Sequence, residues 1–409
     1  MRRLRHLKRH LVKPESKRHL TVLALMILSF IIFDGIIMYL APIVMQNSGI
    51  PLGTIGLILG LSSVAGMIFD IILLRLLEKA SYRTAFLGMF LAAATVPLFL
   101  FGPGVITLYL AAMALWGLYY NLYDIGTLDF IGRTTVADQH TSSFGVIKVS
   151  EGLGYLIAPF VASLFLITMS ATGILPKGIF AFLVVAFLLY LFLCAAKIPS
   201  KQNGQSEHKN IYGTFAEMRI WKRVGRVIFP LLLLTLTINL VDAAVWTIGP
   251  IFSESLKVPS GLSGGIFMLA YTLPPLLVGW FVGRIVLKFG KKKTALGSLL
   301  AGSALLALVG IAGGNLPVII LIFGVSFFFA IVWPTIDAAY ADDVSNTPEY
   351  HEEIETIYDW FTNAGDTLGP IMGGYAAQFL GIKNSFVAMG ILGILMAIIL
   401  IKCTRDDLH

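Results

Sequence analysis

The sequence predicts an all-α membrane protein with twelve transmembrane helices in two pseudo-symmetric bundles of six. Three observations predict this fold class: the composition, the lengths of the apolar segments, and a repeat that relates the two halves of the chain. The 409 residues are 57% hydrophobic and only 13% charged, whereas about 25% of the residues of a soluble protein are charged. We therefore expect most of the chain to lie in a membrane.

Apolar segments of membrane-spanning length follow one another along the chain. A helix needs about twenty apolar residues to cross a bilayer, whereas a barrel strand needs about ten, so these segments predict helices. The predicted spans lie near 20–45, 53–75, 84–101, 104–131, 145–168, 174–196, 226–252, 262–287, 294–313, 316–341, 355–380 and 384–402. They divide the chain into a basic amino terminus (1–19), a first bundle (20–196), a linker (197–225), a second bundle (226–402) and a tail (403–409).

The two halves of the chain repeat one another at an offset of about 208–213 residues. The pattern Asp-x7-Pro-x8-Pro-x-Gly-x2-Gly begins at Asp34 and again at Asp242. The five-residue step between two acids that begins at Asp124 recurs at Asp337. Because such matches keep their order across several helices, they indicate a duplication. Two similar bundles that enclose a site near the bilayer midplane are typical of a transporter.

Lys and Arg are distributed unevenly between the two sides of the predicted membrane. Of the 30 Lys and Arg residues, 26 fall in the termini and connections of one side. By the positive-inside rule this side is cytoplasmic, so both termini are predicted to be cytoplasmic and the protein to lie in a plasma (inner) membrane. The formal net charge of +7 then reflects topology and contact with anionic lipid. We expect no nucleic-acid partner.

This arrangement of spans, termini and central linker resembles the major facilitator superfamily. That family carries the signature Gly-x3-Asp-Arg-x-Gly-Arg-Arg between helices two and three. The second half of this chain has Gly283, Lys288, Gly290 and Lys291 at the matching positions, with Leu287 in place of the Asp. The resemblance implies a gating role for this loop, in which Gly permits a tight turn and the bases contact lipid headgroups or acids.

The first half carries a shorter version of the same signature. Glu78, Lys79 and Arg83 retain an acid and two bases, and Ser81 stands in place of a Gly. The resemblance implies a gating role for these residues as well.

A second resemblance lies in span eleven. Gly365, Gly369, Pro370, Gly373 and Gly374 match the Gly-x3-Gly-Pro-x2-Gly-Gly pattern that proton-coupled drug antiporters of the superfamily carry in helix five. Small residues allow helices to approach closely, and Pro bends a helix. The resemblance implies a helix-packing motif and, in the family, proton-coupled antiport. Span five of this chain has only a weaker version of the pattern.

Acidic residues deep in predicted spans are the candidates for ion coupling. Asp34 lies fourteen residues into span one, about 20 Å along the helix and near the bilayer centre. A carboxylate there is costly and is a functional candidate by default, although a hydrogen-bonded structural Asp is the alternative. We also predict coupling roles for Asp242, Asp366 and Glu151. Lys148, three residues before Glu151, can form an internal pair with it, and we favour a structural role in which Lys148 snorkels to the cytoplasmic side.

Acidic and aromatic residues together predict the chemistry of a substrate cavity. We assign Asp124, Asp337, Trp246, Trp333 and Tyr155 to this cavity, and each of the two Trp residues lies one turn from an acid. Carboxylates and aromatic faces attract an organic cation through charge and cation–π interactions.

The leading functional hypothesis is a secondary active transporter that moves a small organic solute by alternating access, with proton-coupled export of organic or cationic compounds. The alternative is a symporter, coupled to protons or sodium, or a uniporter, for a sugar, a peptide or an organic acid. The membrane lipid, the solute and H+ or Na+ are the predicted partners, and we expect a monomer.

A membrane-embedded enzyme or a receptor is a remote alternative. All seven His residues fall in termini or predicted cytoplasmic regions, and no Cys/His cluster indicates a metal. The phosphate-loop pattern Gly-x4-Gly-Lys-Ser/Thr does not occur, which argues against an ATP-driven pump within this chain. We therefore predict no enzymatic activity, no cofactor and no metal.

Overall fold

The computed structural model describes residues 14–76, 81–102, 104–135, 139–172, 178–196, 222, 224–256, 263–347 and 350–404. These ranges are almost entirely helical and contain no strand. The helices of the described residues are α1 (Pro14–Asn47), α2 (Leu52–Leu76), α3 (Tyr82–Leu100), α4 (Ile106–Thr134), α5 (His140–Thr172), α6 (Ile179–Ala195), α7 (Phe229–Glu254), α8 (Ser263–Thr272), α9 (Pro274–Val278), α10 (Val282–Phe289), α11 (Lys291–Ile311), α12 (Asn315–Asn346), α13 (His351–Leu380) and α14 (Ile382–Cys403). Most of the predicted linker, the ends of the chain, and Glu78 and Lys79 lie outside the described residues.

The helices correspond to the predicted spans, with one exception. Helices α1 to α7 match the first seven spans and α11 to α14 match the last four, whereas the predicted eighth span is broken into α8, α9 and α10. In the described ranges, eight helices are long and apolar enough to cross a membrane. The helical segments 265–278 and 282–289, which are bent by 67° relative to one another, make a ninth if they are counted as one span. The predicted all-α membrane fold is confirmed.

The break in the eighth span follows from two consecutive prolines. Pro274 and Pro275 begin α9, and because proline has no backbone N–H and its ring crowds the preceding turn, it interrupts a helix. The chain bends again around Trp280, whose side chain is 87% exposed. From there α10 packs against α11 and α12 of its own half. The equivalent helix of the first half, α2, continues without a break.

The two halves use the same helix pairs. In the first half α1 packs against α5 and α6, and α4 packs against α2 and α3. In the second half α7 packs against α13 and α14, and α12 packs against α8 and α11. These pairs are equivalent under the duplication predicted from the sequence, so the structure contains two pseudo-symmetric bundles.

The halves meet through α2 with α13, α5 with α8, and α1 with α7. The contact of α2 with α13 is a backbone contact: a Cβ on Gly56 would lie 2.1 Å from the carbonyl oxygen of Pro370. A Cβ on Gly374 would lie 2.5 Å from the carbonyl oxygen of Leu52. Only glycine fits at such separations, so the glycines of both helices determine how closely the two halves approach.

We call the end of the bundle that carries the α2–α3, α4–α5, α10–α11 and α12–α13 connections the basic end, because the sequence concentrates Lys and Arg there. The other end carries the α1–α2, α7–α8 and α13–α14 connections, and we call it the opposite end.

Candidate functional site

A cavity of about 1140 Å³ lies between the two halves. Its described lining comes from α1, α2, α4, α5, α7 and α13, and none of it comes from α8 to α12. Asp70, Asp124 and Glu355, near the basic end, are exposed, whereas Trp116, deeper in the cavity, is buried. The cavity therefore opens at the basic end and narrows toward the middle of the bundle.

Hydrogen bonds between the halves close the opposite end. The Tyr39 hydroxyl on α1 lies 3.0 Å from the Ser253 hydroxyl and donates to Glu254 Oε1 at 3.0 Å, both on α7. The backbone N–H of Gly53 on α2 donates to Gln378 Oε1 on α13 at 2.9 Å. These bonds lie on the same side as the glycine contacts of α2 and α13, so the two halves are joined at this end and separated at the other.

The cavity is strongly acidic. Its described lining contains seven carboxylates and a single basic side chain, Lys148. The acids are Asp70, Asp124, Glu151, Asp242, Glu355, Asp359 and Asp366. Four of these were predicted as site residues. The sequence analysis did not assign Asp70, Glu355 and Asp359 to the cavity, because they lie near helix ends at the basic end, where charged residues are ordinarily solvated.

Aromatic side chains form much of the remaining wall: Trp116, Tyr120, Tyr123, Phe144, Trp246 and Trp360. Aromatic faces next to carboxylates suit a cation that also carries apolar groups.

Asp34 lies directly behind this wall with a fully buried side chain. Its Oδ1 accepts hydrogen bonds from Trp116 Nε1 at 2.9 Å and from the Tyr119 hydroxyl. Its Oδ2 accepts from the Tyr120 hydroxyl at 2.5 Å and the Tyr155 hydroxyl at 2.9 Å. Four donors therefore surround one carboxylate. Asp34 does not itself line the cavity, and side chains such as Trp116 and Tyr120 lie between the two.

The sequence of α4 explains three of these donors. Trp116, Tyr119 and Tyr120 are spaced i, i+3 and i+4, so they share one helix face, and that face is turned toward α1. The fourth donor comes from α5, which packs closely on α1: a Cβ on Gly35 would lie 2.6 Å from Ala158 Cβ. Tyr155, one turn before Ala158, thereby reaches Asp34.

Asp242, the counterpart of Asp34, has a different environment. It lines the cavity and accepts a hydrogen bond from the Tyr271 hydroxyl on α8. Asp366 on α13 also lines the cavity and lies within electrostatic range of Asp242. Among the described residues, neither acid has a cationic partner.

The glycine-rich motif of span eleven brings α13 against α7. A Cβ on Gly365 would lie 2.5 Å from Asn239 Cβ, and one on Gly369 would lie 2.4 Å from the carbonyl oxygen of Leu240. Gly373 continues the same contact, whereas Gly374 and Pro370 contact α2 of the other half. The motif thus packs α13 against two helices at once and holds Asp366 at the cavity wall.

A chain of aromatic rings joins the two equivalent acids across the halves. The Tyr155 ring, whose hydroxyl donates to Asp34, lies 6.2 Å from the Trp246 ring. The Trp246 ring in turn lies 6.1 Å from the ring of Tyr271, whose hydroxyl donates to Asp242. Trp246, predicted as a cavity residue, lines the cavity at this junction.

Lys148 lines the cavity and pairs with an acid on its own helix. Its Nζ donates to Glu151 Oε2 at 2.8 Å, and Glu151 Oε1 accepts from the Tyr123 hydroxyl at 2.6 Å. The Lys148 ammonium also lies within electrostatic range of Asp124 and Asp337. The internal pair of Lys148 with Glu151 that the spacing permits is therefore present, and it lies in the cavity lining.

Three residues assigned to the cavity from the sequence do not line it. Asp337 accepts a hydrogen bond from Tyr358 at 3.2 Å. Trp333 is half-buried and packs against the core, because α12 is packed against α8 and α11. Tyr155 lies behind the wall on Asp34.

The loop signature of the second half lies at the α10–α11 connection. Gly290 has φ +79°, a conformation that favours glycine, and precedes the first residue of α11. Lys291 donates to Asp342 and to the carbonyl oxygen of Ala338 on α12. Gly283 has open space around it, and the Lys288 ammonium lies 5.2 Å from the Phe289 ring centroid.

The first half has an equivalent connection at the start of α3. Asp129 on α4 accepts from the backbone N–H of Tyr82 at 2.8 Å and pairs with Arg133 at 2.7 Å. Arg83 donates to the Tyr82 hydroxyl at 3.1 Å. Asp129 and Asp342 are equivalent in the duplication, and each attaches the start of the third helix of its half.

Two pseudo-symmetric bundles around a central cavity, open at one end and closed at the other, define a membrane transporter. Sequence comparison identifies the family: the Major Facilitator Superfamily matches residues 23–351 and 231–408. The chain belongs to the major facilitator superfamily, as the sequence analysis predicted. No sequence among the curated proteins matches the chain.

Solved structures with the same fold transport different solutes. The nucleoside transporter NupG has a TM-score of 0.72 at 15% identity, covering 94% of this chain and 98% of its own. The peptide transporter POT in complex with sulfate has a TM-score of 0.68 at 14% identity, with 94% of each chain covered. A bacterial homolog of the lysosomal transporter Spinster, in an inward-facing and unoccupied conformation, has a TM-score of 0.69 at 13% identity, covering 95% of this chain and 96% of its own.

At these identities the similarity is one of fold. The chain is an integral, multi-pass membrane protein and a transporter of small solutes. It is not an enzyme.

Proposed function

We propose that this chain exports organic cations in exchange for protons by alternating access. The observation that carries this proposal is the composition of the cavity wall, which contains seven carboxylates, one lysine and several aromatic rings. An excess of acids in a cleft with low-dielectric walls raises the local concentration of cations. An anionic nutrient would find only one basic side chain, Lys148, in the described lining.

Asp34 and its tyrosines have the geometry of a proton site. Asp34 Oδ2 and the hydroxyl oxygens of Tyr120 and Tyr155 form a triangle with sides of 2.5, 2.5 and 2.9 Å. When the carboxylate is ionised, the cluster has only two hydroxyl protons, so only two of the three sides of the triangle can be hydrogen bonds. When the carboxylate takes up one proton, all three sides of the triangle can be hydrogen bonds. The cluster is therefore suited to take up and release one proton.

Asp242 and Asp366 provide the cation subsite in this proposal. Both line the cavity and neither is neutralised by a base in the described part of the chain. Trp246 lies one turn from Asp242 and presents its ring to the same space. A substrate ammonium group can therefore contact a carboxylate and an aromatic face together.

The ring contacts from Tyr155 through Trp246 to Tyr271 connect the proton cluster to the cation subsite. Tyr155 thus contacts both Trp246, against which the cation would bind, and Asp34, which would take up the proton. This is the arrangement that exchange of one for the other requires.

Export is the direction that we propose on the basis of the predicted topology. If the basic end is cytoplasmic, as the distribution of Lys and Arg predicts, the cavity is open to cytoplasmic compounds. The bonds of Tyr39 with Ser253 and Glu254 would then separate it from the exterior.

The test is proton flux in lipid vesicles that hold a pH gradient, with a pH-sensitive dye in the lumen. Lipophilic cations, nucleosides, peptides and sugars are added in turn to wild type, Asp34→Asn and the control Glu353→Gln, which lies outside the cavity lining. We expect the cations alone to release protons, and we expect this response to be lost in Asp34→Asn and kept in Glu353→Gln.

Two results would contradict the proposal. Proton movement together with a nucleoside, peptide or sugar would indicate a nutrient symporter. Cation transport that a sodium gradient drives equally well, without a pH gradient, would mean that the coupling ion is sodium and not the proton.

A further inference from the structure

Lys148 is the one basic side chain in the described lining of an otherwise acidic cavity. Resting on the function proposed above, we propose that Lys148 is a specificity-determining residue whose ammonium group occupies an anionic subsite at Glu151. The cavity of the wild-type protein then favours compounds with one positive charge over compounds with two.

Glu151 is already paired with a cation and a hydroxyl donor. Lys148 Nζ lies 2.8 Å from Oε2, and the Tyr123 hydroxyl lies 2.6 Å from Oε1. Both carboxylate oxygens are thus occupied by donors. Because Lys148 is three residues from Glu151 on the same helix, the pair is tethered and forms without the entropic cost of binding a free ligand.

The partner and the exposure of the side chain define this role. A snorkelling lysine contacts lipid headgroups, whereas Lys148 Nζ contacts Glu151 Oε2 at 2.8 Å. Its side chain is also 75% exposed while it lines the cavity, so the ammonium group is in the space that a substrate enters.

The acids deeper in the cavity are not neutralised in the same way. Asp242 pairs with the uncharged hydroxyl of Tyr271, and Asp366 has no cationic partner among the described residues. A first positive charge therefore has a subsite at Asp242 and Asp366. A second charge that reaches the part of the cavity at Glu151 meets Lys148, and removing the lysine amine would make Glu151 available to it.

The experiment is calorimetric binding to the purified full-length protein, with tetraphenylphosphonium as the single-charge probe and decamethonium as the linear double-charge probe. We expect Lys148→Gln to raise the affinity for decamethonium about tenfold, which corresponds to about 1.4 kcal/mol. The affinity for tetraphenylphosphonium should change by less than about threefold, since its subsite has not gained a partner.

Two further variants separate charge from structure. Lys148→Arg keeps the positive charge and should keep the wild-type ratio of the two affinities. Lys148→Gln combined with Glu151→Gln removes both charges and should return the ratio toward the wild-type value.

Three results would overturn this inference. The first is an unchanged ratio of the two affinities in Lys148→Gln, and the second is a fall in its affinity for decamethonium. The third is loss of the folded protein in both Lys148→Gln and Lys148→Met, because that result would identify a purely structural lysine. If the wild type binds neither probe, the proposed function fails before the role of Lys148 is reached. If the wild type binds tetraphenylphosphonium but Lys148→Gln leaves the ratio of the two affinities unchanged, only the inference about Lys148 fails.

Discussion

Asp34 and Asp242 occupy equivalent positions in the two halves, but their carboxylates are bound differently. Asp34 accepts four hydrogen bonds from Trp116, Tyr119 and two further tyrosines and is fully buried. Asp242 accepts one, from Tyr271, and faces the cavity. The duplication has thus produced one enclosed acid and one accessible acid, which is the difference expected between a proton site and a substrate site.

Replacing the two acids by Asn should affect stability unequally. In Asp34→Asn the amide NH2 group would face two donors that the carboxylate oxygen now accepts from, leaving buried donors unsatisfied at a cost of about 1–3 kcal/mol each. In Asp242→Asn only the bond from Tyr271 changes. Thermal unfolding in detergent should therefore show a larger fall in Tm for Asp34→Asn. Equal falls would contradict the hydrogen-bond arrangement described here.

Tyr39→Phe should weaken the closure of the opposite end. It removes the bonds to Ser253 and Glu254, and each hydrogen bond contributes about 0.5–1.5 kcal/mol net. The population that is open at the opposite end should therefore rise roughly five- to one-hundredfold.

The population can be measured by the rate at which a membrane-impermeant thiol reagent, added at the opposite end, labels Met38→Cys. The background should lack Cys194 and Cys403. Tyr109→Phe is the matched control, because the Tyr109 hydroxyl bonds Ser48 at 2.9 Å within the first half. A comparable increase in the control would argue against a specific role for Tyr39.

Gly56→Ala should disrupt the contact between the halves. The new Cβ would lie 2.1 Å from the carbonyl oxygen of Pro370, so α2 and α13 would have to separate. Overpacking of this kind costs about 1–3 kcal/mol, and Tm should fall accordingly. Gly297→Ala, on α11 with open space around it, should be neutral or stabilising by up to about 1 kcal/mol. A stable Gly56→Ala protein would mean that the two helices can repack.

Trp246→Leu should weaken the binding of aromatic or quaternary cations. Loss of a cation–π contact costs about 0.5–2 kcal/mol, or roughly two- to thirtyfold in affinity. Trp333→Leu is the matched control, because the sequence assigned both Trp residues to the cavity and only Trp246 lines it. Calorimetric titration of folded variants with tetraphenylphosphonium distinguishes them. Equal losses in the two variants would place Trp333 at the substrate as well.

The candidate site could be predicted from the sequence only in part. The acids Asp34, Asp242 and Asp366 were found because a carboxylate within an apolar segment is rare and costly. The spacing of Trp116, Tyr119 and Tyr120 places them on one helix face, but no sequence pattern shows that this face is turned toward α1. For Lys148 the pattern indicated a pair with Glu151, but not that the pair lies in the cavity.

The break in the eighth span shows a different limit. Pro274 and Pro275 are visible in the sequence, but the apolar composition continues past them and predicted one uninterrupted span. Whether a proline pair merely kinks a membrane helix or divides it depends on the packing of the neighbouring helices.

By itself the sequence determined the membrane class, the helical spans, the duplication and the superfamily, because segment length, apolar composition and repeated spacing are properties of the chain alone. Only the tertiary structure decided which end of the cavity is open, which acids face it, and which half supplies each partner. These depend on the rotation of each helix about its axis and on contacts between residues far apart in the chain, such as Gly56 with Pro370. A change of rotation moves a side chain from the cavity to the lipid without altering the hydropathy of the segment that carries it.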